Sequence, residues 1–137
     1  MSDITFKEFS DKIKDIKIDK SCCTYKTLEI FQGKWNIRVL FELVKWDSIR
    51  FGELRKQVDG ITNTMLTSTL RELERKGLID RTQFNEIPPH VEYSLSQAGK
   101  DLYPIFVEMM LWNNKYQRPS DSRRDDVEQI TTNREDL

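Results

Sequence analysis

Between Thr62 and Arg75 the chain carries side chains able to read the edges of nucleic-acid bases. On a helical wheel of about 100° per residue, Thr64, Thr67, Ser68, Arg71 and Arg75 gather on one face. The opposite face holds Met65, Leu66, Leu70 and Leu73. A guanidinium offers paired donors to guanine, and hydroxyls pair with bases or phosphate oxygens. Asn63, at the start of the pattern, can reach an adenine edge or a phosphate, and first-turn amides behind a Thr62 cap favour phosphate. No carboxylate occupies the centre of this face; Glu72 and Glu74 fall on its flanks. The pattern predicts a helix from about Thr62 to Lys76, its apolar side in a core and its polar side toward double-stranded DNA.

Other candidate groups surround it. Arg50, Arg55 and Lys56 flank the preceding helix and are expected to clamp a sugar–phosphate backbone. Arg81 and His90 belong to a later hairpin and its tip, suited to the minor groove or phosphates. His90 is only partly protonated near neutral pH, so its contact should be weak and pH-dependent. Cys22 and Cys23 are adjacent, and neighbouring cysteines rarely bridge each other. With one histidine in the chain there is no metal-ligand set, and no metal or cofactor is expected. No close carboxylate pair, nucleophile–base set or glycine-rich phosphate loop is present, so the chain does not read as an enzyme.

The elements that must hold these groups follow from periodicity. With 137 residues, 22 basic and 23 acidic, and only 5 Gly and 4 Pro, the composition is that of a helix-rich soluble protein. Residues 20–117 hold 14 basic and 12 acidic side chains, whereas both ends are net acidic; this permits DNA binding without demanding it. Apolar runs are too short to span a bilayer, and the start does not read as a signal peptide, so a cytoplasmic location is expected. Phe6, Phe9, Ile13 and Ile16 form an amphipathic stripe, and Trp35 to Val44 reads as a central buried helix. A short β-prone Ile49-Arg50-Phe51, a helix over residues 52–58 and a turn at Asp59-Gly60 precede the Thr62 helix, which stops at Gly77. Segments 78–84 and 91–96 then form a hairpin around Pro88-Pro89, followed by a long helix over about 97–116 that Pro104 kinks or shifts. The fold class is mainly α with a small β-hairpin wing, a winged helix-turn-helix.

In order along the chain come Cys22, Gly33-Lys34-Trp35, Arg50-Phe51-Gly52-Glu53-Leu54, Gly60 through Thr67, Leu70-Arg71-Glu72-Leu73-Glu74 and Gly77-Leu78-Ile79. Pro88 through Ser96 and Gly99 complete the series. Over residues 22–116 this series resembles the HxlR-type winged-helix regulators of bacteria. Cys23 stands where the family usually has Pro, and His90 where it usually has a basic residue. The resemblance implies a homodimer built largely from the terminal helices, for which Phe6, Phe9, Ile13, Ile105, Phe106, Met109, Met110 and Trp112 are candidates, acting on a palindromic operator, expectedly as a repressor. It divides the chain into a helical extension (1–21), the DNA-binding domain (22–117) and a polar tail (118–137). Some family members sense electrophiles or oxidants through the cysteine matching Cys22, which requires an exposed thiol of lowered pKa; an inert packing cysteine is the other reading. Trp35, Trp46, Phe51, Trp112 and Tyr116 are candidates to line a small-molecule effector pocket, or simply to pack the core. The alternative function is a winged-helix protein-interaction module, separable by salt dependence.

Overall fold

The computed structural model describes residues 4–117, which divide into two compact units on either side of the Lys34–Trp35 bond. The predicted tail lies outside the described residues, and the unit boundary falls after the expected 21/22 division. The first unit holds α1 (Phe6–Ile13) and α2 (Cys23–Ile30). Thr5 and Glu8 close a reciprocal capping box on α1, the Glu8 carboxylate accepting from the Thr5 amide at 2.9 Å. Those bonds hold the Glu8 carboxyl below its usual range. The helix is shorter than the stripe to Ile16 predicted.

In the second unit α3 (Asn36–Leu43), β1 (Ile49–Arg50) and α4 (Phe51–Gln57) lead to α5 (Asn63–Arg75). The strands β2 (Ile79–Phe84) and β3 (His90–Leu95), and the helices α6 (Gln97–Lys100) and α7 (Tyr103–Tyr116), follow. The core gathers Val39, Leu40 and Leu43 of α3, Leu54 of α4, and Leu66, Leu70 and Leu73 of α5. Ile79, Leu95 and Phe106 join it from the sheet and α7. Burying each such side chain is worth roughly 1.5–3 kcal/mol. Gly60 and Gly77 take positive φ of 78° and 75°, turning the chain into and out of α5.

Two expectations change. The hairpin is part of a three-stranded antiparallel sheet in the order β1-β3-β2, with Ile49 opposite Tyr93 and Ile79 opposite Leu95. The long final helix is two: α6 ends at Lys100, and Pro104 lies in the first turn of α7, where its missing amide and fixed φ are tolerated.

Candidate nucleic-acid interface

α5 starts where local chemistry favours a start, and its register sets the outward face. The Thr62 hydroxyl accepts from the Met65 amide at 3.1 Å, capping the helix. Leu66, Thr69, Leu70 and Leu73 are buried. Asn63, Thr64, Ser68, Arg71 and Arg75 are exposed, and Thr67 is half-buried. The Thr67 hydroxyl donates to the Asn63 carbonyl at 2.8 Å, so it faces outward as an acceptor. Met65, expected in the core, is 42% exposed. Thr69 takes the core edge instead, because it sits nearer the middle of the buried arc. Arg71 has no hydrogen-bond or ion-pair partner among the described residues. Arg75 differs: its Nη2 and Nε donate to the two carboxylate oxygens of Glu72 at 2.7 and 3.1 Å. That bond, before the charges of Arg75 and Lys76, holds the Glu72 carboxyl below its ordinary range. The three-residue Glu72–Arg75 spacing was the sequence signal for this pair.

Clefts open on both sides of the exposed face. At the start of α5, Arg55, Lys56, Asp59, Thr62 and Asn63 help line one of about 500 Å³. Lys56 is paired with Glu53 at 3.1 Å, whereas Arg55 has no partner among the described residues. On the wing side Thr67, Arg71 and Glu74 of α5 meet Phe51, Arg81, Val91 and Tyr93 across about 460 Å³. Phe51, considered for an effector pocket with the tryptophans, therefore lies here. Trp46 and Trp112 are 42% and 57% exposed, and Trp112 packs on Tyr116 with ring centroids 5.3 Å apart.

The wing is mixed in charge. Arg81 is exposed on β2, and Arg50 is exposed on β1 directly opposite Glu92 of β3. His90 is not a free tip residue. It closes the hairpin opposite Phe84, stacks on that ring at 4.6 Å, and lies 3.5 Å from both Glu86 and Glu92. Stacking and strand pairing draw it inward, and the flanking carboxylates oppose a phosphate contact.

The remaining candidates belong to other elements. Cys22 stands at the N-cap of α2, half-buried, and Cys23 is exposed. The Thr24 hydroxyl, then the amides of Thr24 and Tyr25, hold the Cys22 thiol below its ordinary pKa, although none closes a capping bond. On α1, Phe6, Phe9 and Ile13 are 86%, 49% and 39% exposed. On α7, Ile105, Met109, Trp112 and Tyr116 form an exposed stripe at helical spacing, and Met110 is half-buried. Phe106 leaves the candidate interface: it is 4% exposed and packs on Phe41 at 5.4 Å, within the chain's own core. No described helix is long and apolar enough to cross a membrane, and no metal-holding group of His, Cys, Asp and Glu occurs among the described residues.

Known proteins show the same arrangement. The chain is 44% identical over 86 residues to YdzF, an HTH-type transcriptional regulator of Bacillus subtilis, covering 63% of this chain and 79% of YdzF. It is 36% identical over 121 residues to YybR of the same organism, also an HTH-type transcriptional regulator, covering 88% and 90% of the two chains. The solved structure of the redox regulator HypR in its oxidized form superposes with a TM-score of 0.62 at 36% identity, over 74% of this chain and all of that one. The family model for the HxlR-like helix-turn-helix matches residues 30–121. With a capped, core-anchored α5 exposed beside a wing, the chain belongs to the HxlR-like helix-turn-helix family of transcriptional regulators.

Proposed function

We propose that the protein is a homodimeric repressor that binds a palindromic operator, with α5 in the major groove of each half-site. The observation that carries this reading is the unpaired Arg71 at the centre of the exposed α5 face, between clefts holding the equally unpaired Arg55 and Arg81. Asn63, Thr64 and Ser68 contact base edges or neighbouring phosphates; Thr62 and Thr67, their local bonds already made, offer a hydroxyl proton and an acceptor respectively. Arg50, Arg55, Lys56 and Arg81 hold the backbone, and Arg75 joins them when it leaves Glu72. The extension 1–21 and α7 supply the dimer seam around the 22–117 domain. The exposed apolar stripe of α7 and the bare apolar side of α1 support this, since such faces require cover. Selection of bound sequences from random DNA tests the whole reading. It should return an inverted repeat with half-site centres about 34 Å apart; a single half-site, or no enrichment, refutes it.

Cys22 is the proposed sensor of the repressor. Its lowered thiol pKa favours the thiolate that reacts with oxidants and electrophiles. Oxidation should reduce operator affinity in the wild type and leave Cys22→Ser unaffected; equal responses of the two proteins refute the role.

A further inference from the structure

The wing-side cleft has a chemistry that base reading does not exhaust. Its volume of about 460 Å³ suits a one-ring ligand. Phe51, Leu70, Val91 and Tyr93 give it an apolar wall, while Arg71 from α5 and Arg81 from β2 line it from two different elements. Neither guanidinium is hydrogen-bonded or ion-paired to a described residue. Two uncompensated cations around one concave surface raise the local potential for an anion, and a guanidinium fork matches a planar carboxylate.

Two further groups restrict the occupant. Glu74 lines the same cleft without an ion-pair partner among the described residues, and Thr67 has committed its proton to the Asn63 carbonyl. Both present acceptors. A dianion would suffer repulsion from Glu74, and a purely apolar acid would leave the acceptors unmatched. The complementary molecule has one carboxylate, a flat apolar body and a hydroxyl donor.

We infer that the cleft between α5 and the wing binds a small hydroxy-aromatic monocarboxylate, which displaces operator DNA by occupying Arg71 and Arg81. The cleft chemistry stands on its own, whereas the displacement rests on the proposed operator contact of α5. Calorimetric titration of the full chain without DNA, using 4-hydroxybenzoate, benzoate and inorganic phosphate, tests the first part. We expect one 4-hydroxybenzoate per chain, with benzoate several-fold weaker for want of one hydrogen bond. Arg81→Gln should weaken the acid by about ten-fold or more, the loss of a charge-assisted bond. Glu74→Gln should narrow the preference over benzoate and admit phosphate. In a DNA-binding titration the same acid should raise the apparent operator Kd linearly with its free concentration, doubling it at the concentration that half-fills the cleft. No saturable binding up to roughly 10 mM, unchanged affinity in Arg81→Gln, or phosphate bound as tightly as the acid would overturn the cleft assignment. Operator selection without acid binding defeats the cleft alone. Acid binding without a selected DNA sequence defeats the operator reading, and the displacement with it.

Discussion

Gly99 offers a sharp test of how the wing is fastened. It lies buried in α6, whose capping residue Ser96 grips the turn after α5: the Ser96 amide donates to the Leu78 carbonyl at 3.0 Å, and its hydroxyl to the Gly77 carbonyl at 2.7 Å. The Gly99 amide returns a bond to the Ser96 hydroxyl oxygen at 3.1 Å. A methyl group at position 99 would overlap the Leu78 carbonyl oxygen, and would lie 3.1 Å from both the Leu78 carbonyl carbon and Leu95 Cδ2. Helix propensity alone makes Gly99→Ala stabilising by up to about 1 kcal/mol. Against that stand about 1–3 kcal/mol for forcing a methyl into a packed backbone contact and about 1 kcal/mol for stretching one of the Ser96 bonds. The net expectation is a loss of about 2 kcal/mol, which lowers Tm by roughly 10 °C for a domain of this size. Thermal and urea unfolding followed by circular dichroism measures it, with exposed Ala98→Gly as the propensity control, expected to cost at most about 1 kcal/mol. A Gly99→Ala protein whose Tm is unchanged or raised would refute the close approach of α6 to the Gly77–Leu78 turn.

Three further outcomes bear on the interface. Arg71→Ala should weaken binding to the selected operator by about 1–3 kcal/mol while changing random-sequence DNA much less; titrations on both DNAs decide, and equal losses would reduce Arg71 to a phosphate contact. Glu72→Gln removes the carboxylate that Arg75 pairs with, so binding to random-sequence DNA should tighten and its dependence on log salt steepen by about one; an unchanged slope would show that this pair does not restrain a phosphate contact. The same substitution carries a pH signature: because the folded carboxyl is held below its unfolded value, its stabilisation is present above the unfolded pKa and lost as pH falls through the folded one, so wild type and Glu72→Gln should converge in stability in acid. In Cys23→Ser, Cys22 alkylation should inflect below the ordinary thiol pKa of about 8.5; an ordinary inflection would remove the reactive-thiol argument.

How much of this was legible in the sequence depended on the range of the forces involved. α5 could be read because its determinants are local: the Thr62 cap, aliphatic side chains at helical spacing and Gly77 at the exit all lie within sixteen residues. Met65 was misjudged because residue type outweighed angle: it lies at the edge of the apolar arc, whereas Thr69 sits nearer its middle and is buried despite its hydroxyl. β1 was readable as a short β-prone run, but its pairing was not, because β3 offers it partners more than forty residues away. His90 read as an exposed tip because nothing local announces a ring stacked on Phe84 across the hairpin. The wing-side cleft needed α4, α5, β2 and β3 to meet, which no window of sequence contains.

The same distinction between local and assembled properties explains how a chain of net charge −1 can serve a polyanion. Net charge weighs every carboxylate equally, but phosphates respond to charge that remains uncompensated within about 8 Å at physiological salt. Near the interface two carboxylates are already engaged, Glu72 with Arg75 and Lys76 and Glu53 with Lys56, whereas Glu86 and Glu92 keep their charge at the wing tip. Arg55, Arg71 and Arg81 remain uncommitted, each lining a cleft beside the α5 face. Guanidiniums left without an internal partner give up no existing ion pair when a phosphate arrives, so the full counterion-release term is available to binding. The uncommitted Glu74 is the opposing charge in the wing-side cleft, and it marks that side of α5 as the one where anion affinity is moderated by the protein itself.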